Sequence, residues 1–302
     1  MATESDRGSL SLRPLSISQS VLKRADGSAQ FSFGNVTVLS SVTGPAEVRL
    51  REEIVDRSTL EFNVSRLQAP AGPRLKSIEN HLTTLFDKVI LSHLYPRSLI
   101  QITSQTTSSP STSYSTPFST SISQSNVASS SPRKRIRTNK TTTTGASEVA
   151  ATINSISLAL IDAGIQLGGT LVAVSIAFLS TTTEEEEEEL VLDPTVFQEE
   201  QAASTLVVTV RFGGSGSETG SVVGIESQGI FSPSQLFQAQ EVAINATQTI
   251  LGFMRRSIET KYGVEPSSST PENSSREIKM CVAEEGREIS PDDEDDDDAI
   301  MI

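Results

Sequence analysis

The sequence predicts a mixed α/β (α+β) fold, a mixed sheet with packed helices, and three observations carry that prediction. Short β-favouring runs recur along the chain, bounded by Gly, Pro, Asn and Ser. Three segments repeat apolar residues at helical spacing among those runs. Once two low-complexity stretches are set aside, about 210–220 residues remain, enough for one well-buried domain.

The first element is a hairpin. In SAQFSFGNVTVLSSV two β-rich runs flank Gly34-Asn35, a two-residue loop suited to a type II′ or I′ turn. TLEFNV (Thr59 to Val64) follows as a strand. After the Pro/Gly-rich QAPAGP comes a helix with Ile78, Leu82, Leu85 and Val89 on one face, expected to run until Tyr95-Pro96, since Pro cannot continue a helix. SLIQITSQ reads as a buried strand. A second helix carries Val149, Ile153, Ile156 and Leu160, with Gly164 at its C-terminal cap, and is expected to pack against the sheet. LVAVSIAFL is a central strand, too short to span a membrane. LVLDP, STLVVTVRF and SVVGIESQG complete the strands, the last two joined by GGSGSETG. A capping box, Ser232-Pro233-Ser234-Gln235, starts a final helix along Leu236, Gln240, Ala243, Thr247, Leu251, Met254 and Ile258.

Composition divides the rest. Residues 1–8 read as a flexible N-terminus and 9–264 as the folded domain. A Ser/Thr-rich basic insertion at about 104–144 interrupts it, and an acidic tail follows over 265–302. Insertion and tail hold too little apolar surface to offset their ordering entropy, so both are expected to be disordered. The net charge of −14 comes from Glu184 to Glu189 (−6) and Glu284 to Asp298 (−9); the remaining chain sums to +1. The acidic balance therefore leaves room for a local basic groove. Cys281, the single cysteine, excludes a disulfide framework and a Cys-based zinc site. No apolar leader begins the chain and no apolar run reaches 18 residues, which argues against secretion or membrane spanning. Arg133, Lys134, Arg135 and Arg137 form a candidate nuclear import signal, with nonspecific nucleic-acid contact as the alternative.

Few motifs carry chemistry alone. His81 and His93 lack partners at metal-ligand spacing, and no cofactor motif is present. GGSGSETG could cradle phosphate but lies between strands. TGASEVAAT is a small-residue turn opening a helix, the form of an anion site, yet it carries Glu148 and no Arg or Lys. Asp193, Glu199 and Glu200 could act as acids or hold a divalent metal.

In order and spacing these pieces resemble the RNase PH family, over nearly all of the folded part. GPAEVRLREE, YPRSLIQITSQ, LALIDAG, and VLDPT followed by a Glu-rich turn carry the resemblance. It implies an RNase PH-like fold, the mixed sheet of the ribosomal protein S5 domain 2-like class. In active members phosphate attacks the terminal phosphodiester of RNA. An Asp-Gly-Gly-Thr-Arg-Thr-Ala turn at a helix N-terminus holds that phosphate, and nearby acids serve the leaving group or a metal. The equivalent turn here runs through Gly145, Ala146, Ser147, Glu148 and Val149, so the Arg position falls on Glu148 or Val149. Counting from Asp193, the family's next acids fall on Glu199 and Thr205. One is kept and one lost. A charge-assisted contact is worth roughly 1.5–3 kcal/mol, and about 1.4 kcal/mol is a tenfold rate change. The resemblance therefore implies a site without catalysis.

For an inactive member the resemblance implies a structural subunit of the RNA exosome core ring, in nucleus, nucleolus and cytoplasm. Its partners would be other RNase PH-like ring subunits, cap subunits with RNA-binding folds, and RNA, with no membrane and no cofactor. Arg57, Arg66, Arg74 and Lys76 are the candidates for contacts to RNA phosphates. Two alternatives stand: a phosphorolytic exoribonuclease using Glu199, and a free-standing nucleic-acid binder using the basic linker.

Overall fold

The computed structural model describes residues 8–66, 72–110, 145–179, 189–213 and 220–263. The import candidates Arg133, Lys134, Arg135 and Arg137, the acidic tail and most of GGSGSETG lie outside them.

Alternation builds the first sheet. Leu15–Gln19 (β1) sets Leu15 and Ile17 inward and Ser16 and Ser18 outward, and pairs antiparallel with Gly27–Phe33 (β2). β2 turns into Val36–Glu47 (β3) through Gly34-Asn35. Gly34 has φ 52 and Asn35 has no positive φ, which fits the II′ alternative, since I′ needs both residues left-handed. β3 pairs antiparallel with Ser98–Ser108 (β5), and β5 pairs parallel with Thr59–Arg66 (β4). The sheet order is β1-β2-β3-β5-β4. A parallel pair needs a crossover, and Pro73–Asp87 (α1) supplies it.

Two expectations are corrected here. β5 continues to Ser108, so residues 104–108, expected within the insertion, are strand: Ser104 and Thr106 face inward and are buried. The Ser/Thr composition misleads because hydroxyl side chains suit a strand whose inner neighbours are also hydroxylic; Ser40 donates to Ser104 over 3.0 Å. The first helix ends at Asp87, well before Tyr95-Pro96. Val89 to Leu91 instead bonds to the segment after the second helix, Leu91 N–H to Gln166 O (3.1 Å) and Gly168 N–H to Val89 O (2.8 Å). Burial of Val89 and Ile90 favours that pairing over another helical turn. A single 3-10 turn, Ser92–Leu94, follows.

The second sheet is antiparallel: Thr170–Leu179 (β6), Glu189–Leu192 (β7), Ser204–Phe212 (β8) and Ser221–Gly229 (β9), in the order β7-β6-β8-β9. Ala146–Asp162 (α2) lies between the sheets, touching β2 and β3 on one side and β6 and β8 on the other. It is therefore buried nearly all round, from Ser147 to Leu160, rather than against one sheet. Its polar residues are satisfied internally. The Asn154 amide grips the Ala173 backbone in both directions, at 2.9 and 2.8 Å, and Ser155 lies 2.6 Å from Ser40. Gly164 (φ 71) ends α2 in a Schellman motif: its N–H bonds Ile161 O (3.1 Å), and Ile165 N–H bonds Leu160 O (3.2 Å).

α1 shares this middle layer. Its Phe86 meets Phe62 of β4 at 5.7 Å, and a Cβ on Gly224 of β9 would strike its Leu85. Pro233–Tyr262 (α4) covers the far side of the second sheet, so β6 is buried on both faces. Its buried stripe includes Ala243, Thr247, Leu251 and Met254, with Ala239, Ala246 and Ile250 beside them. No helix among the described residues is long and apolar enough to cross a membrane.

Candidate active site

The site grows from the N-terminal turn of α2. A helix start leaves its first amides without partners. Gly145 caps α2 in extended conformation and offers no side chain. The acceptor is Glu199: the Ser147 amide donates to its Oε1 over 2.8 Å, and the Ala146 amide also bonds this carboxylate. A Cβ on Gly145 would lie 2.5 Å from Glu199 Oε2, so only glycine admits this approach.

Glu199 stands on Val196–Gln201 (α3), a short helix where a Glu-rich turn was expected. The sequence encodes it as a capping box: Gln198 N–H donates to Thr195 Oγ1 (3.3 Å), and Thr195 N–H donates to Gln198 Oε1 (2.8 Å). Asp193 turns the chain from β7 into α3 with φ 48, a left-handed conformation that Asp tolerates better than most residues. Its N–H is held by Ser175 O at 2.8 Å.

Asp193 is fully buried and its charge is matched by Arg13. The Arg13 backbone N–H (3.1 Å) and Nε (2.9 Å) donate to Oδ2, and Nη2 reaches Oδ1 at 2.5 Å. Nη2 also donates to Ser147 Oγ, and that hydroxyl lies 3.5 Å from Asp193 Oδ1. The two-pronged geometry offsets the desolvation of a buried pair. Burial pushes the Glu199 carboxyl up to about 7. The Ser147 amide, Arg13 and the Ala146 amide work against that rise, and the Asp193 charge adds to it.

Glu148 points the other way, into the first sheet. Arg66 Nε donates to its Oε1 (2.9 Å), Arg66 Nη2 lies 2.8 Å from Oε2, and Thr106 Oγ1 donates to Oε1 at 2.5 Å. Val149 is core. Thr205 stands at the start of β8 opposite Gln228 and lines a small cleft with Ala146 and Val149. Ser147, Glu199 and Asp193 thus converge, while Glu148 diverges. No group of three metal-ligating side chains gathers among the described residues.

The four candidate RNA cations all face acids. Arg66 is taken up by Glu148. Arg74 reaches Glu226 (3.2 Å) and Gln228 (3.3 Å), Lys76 reaches Glu79 (2.9 Å), and Arg57 lies 3.6 Å from Asp87. The last two pairs are solvent-exposed and hold their cations weakly. Arg13 and Thr106 were not anticipated. A buried Asp demands a cation, but nothing local in the sequence points 180 positions back to Arg13.

A helix N-terminus between two sheets, with acids entering from the turn after β7, defines the class. The chain belongs to the 3′ exoribonuclease (RNase PH) family: residues 11–166 match its domain 1 and residues 169–246 its domain 2. The boundary falls between α2 and β6. Among its relatives is the exosome complex component RRP46 of Saccharomyces cerevisiae, 29% identical over 239 residues, covering 79% of this chain and 92% of that protein. The exosome complex component rrp46 of Schizosaccharomyces pombe is 23% identical over 262 residues, 87% and 97% of the two chains. The crystal structure of rice (Oryza sativa) Rrp46 has the same fold, with a TM-score of 0.64 at 22% identity over 84% of this chain and 99% of that one.

Proposed function

We propose that this chain is a catalytically silent subunit of an RNA exosome core ring, serving RNA processing and decay. Two observations support membership: the family assignment, and relatives named as exosome components that align over nearly their whole length. One observation carries the silence. The amides at the α2 N-terminus, where a phosphate would be held, already bond the carboxylate of Glu199. Glu148, at the position of the family's phosphate-binding Arg, adds no cation, and Arg66 neutralises it from the side. Ring neighbours and cap subunits are the expected partners and RNA the expected cargo. Nucleus and nucleolus as well as cytoplasm are the expected locations, with Arg133, Lys134, Arg135 and Arg137 supporting import.

Affinity capture of the tagged chain from its own cells, with partners identified by mass, tests the assignment. Other RNase PH-like chains should co-purify in stoichiometric amounts; recovery without them would overturn it.

A second reading has one observation in its favour. A carboxyl with a pKa of about 7 suits a general acid, so Glu199 could protonate a leaving group if phosphate displaced it from the amides.

A further inference from the structure

A small open-sided cleft lies beside the α2 N-terminus. Ala146 and Val149 line it from α2, Arg74 from α1, and Thr205, Glu226 and Gln228 from the second sheet. Its free volume is about 10 Å³, one water position. Arg74 and Glu226 face each other there, Nη2 to Oε1 at 3.2 Å, and Arg74 Nη2 also donates to Gln228 Oε1 at 3.3 Å. Each keeps one buried polar atom without a partner: the Nε–H of Arg74, a donor, and Oε2 of Glu226, an acceptor.

Leaving such groups unpaired costs on the order of 1–3 kcal/mol each. A single atom that accepts from Nε–H and donates to Oε2 would satisfy both. A phosphate diester oxygen accepts only, and the Glu226 carboxylate repels it. An apolar group does neither. A hydroxyl does both and has the size of the space. On RNA the hydroxyl repeated at every nucleotide is the ribose 2′-OH, the group that distinguishes RNA from DNA.

We propose that this cleft binds a ribose 2′-hydroxyl of single-stranded RNA, which accepts from Arg74 Nε and donates to Glu226 Oε2. The proposal rests on the reading that the chain contacts RNA. It gives Arg74 a role other than phosphate neutralisation: beside Glu226 the guanidinium acts as a directional donor.

The test is competition between a short oligoribonucleotide and its 2′-deoxy counterpart for the full chain, read by fluorescence anisotropy at several salt concentrations. RNA should win by about tenfold, the worth of one charge-assisted hydrogen bond. Arg74→Lys keeps the charge but lacks the Nε–H. It should bring RNA down to the DNA level while leaving DNA affinity and the salt slope unchanged. Glu226→Gln should do the same, and carries the test if Arg74→Lys does not fold. Equal binding of RNA and DNA by the unaltered chain would overturn this proposal and leave RNA contact standing. Equal losses for RNA and DNA in Arg74→Lys would overturn it too, since that is the mark of a phosphate contact. Binding to neither would overturn both this proposal and the reading it rests on.

Discussion

Glu199 and Ser147 join α3 to α2: the Ser147 amide, in the first turn of its helix, donates to Glu199 Oε1 over 2.8 Å. An internal carboxylate thereby fills the place that a helix N-terminus offers to a free anion. The consequences are measurable in stability, in pH dependence and in activity.

Glu199 should make the fold less stable as pH rises. Its carboxyl goes from 4.5 unfolded to about 7 folded, so between those values the native state holds a proton that the unfolded chain has released. The contribution is full below 4.5 and lost as pH rises through 7. Glu199→Gln removes the titration and keeps the acceptor. Urea unfolding should show the Gln variant gaining on the unaltered chain from pH 5 to pH 8, by up to about 3 kcal/mol. Parallel pH profiles would contradict this.

Arg13→Met should be among the most damaging single substitutions. It leaves the fully buried Asp193 carboxylate without its counter-ion, a loss of about 3–5 kcal/mol by urea denaturation. Arg13→Lys keeps the charge but cannot serve both carboxylate oxygens and Ser147, so its loss should be smaller. A loss near zero for Met would remove Arg13 from the account.

Arg66 and Glu148 should be strongly coupled. Arg66→Met leaves a buried carboxylate held only by Thr106, at a cost of about 3–5 kcal/mol, and Glu148→Gln should recover part of that. A double-mutant cycle should give a coupling above about 1 kcal/mol. Additive losses would mean that the pair contributes nothing of its own.

A third clamp joins the C-terminal end of α2 to the last turn of α4. Asp162 accepts from the Ser28 amide (2.9 Å), Ser20 Oγ (2.8 Å) and Lys261 Nζ. Burial opposes the Asp162 charge, yet bonds from Lys261, Ser28 and Ser20 hold its pKa below 3.8. Burial likewise opposes the Lys261 charge, and Asp162 raises its pKa above 10.5. The Tm advantage over Asp162→Asn should therefore be full at neutral pH. It should fade as pH falls through the lowered Asp162 value, and again as pH rises through the raised Lys261 value. An advantage constant from acid to alkali would contradict the ion pair.

Local patterns in the sequence specify most elements and little of the site's wiring. The Gly34-Asn35 hairpin, the two capping boxes and the Gly164 cap are chemistry within a few residues, and the structure contains each. Glu199 was legible through its six-residue spacing from Asp193. Arg13 was not, because its partners lie 134 and 180 positions away. The partner of Glu148 is likewise 82 positions distant, so the residue read as an unexplained charge. α2 misled in another way: Ser147, Asn154, Ser155 and Ser157 look like a solvent face, yet short polar side chains can be buried where a second sheet covers them. The end of α1 was set by a backbone pairing with Gln166 to Gly168 that no periodicity reveals.

The central claim is that the α2 turn holds its own carboxylate in place of phosphate and does no chemistry. Purified chain incubated with single-stranded RNA and inorganic phosphate, followed for nucleoside diphosphate, tests it most directly. The account predicts no release above that of a Glu199→Ala control. Sustained release that Glu199→Ala abolishes would contradict it and establish Glu199 as a working acid.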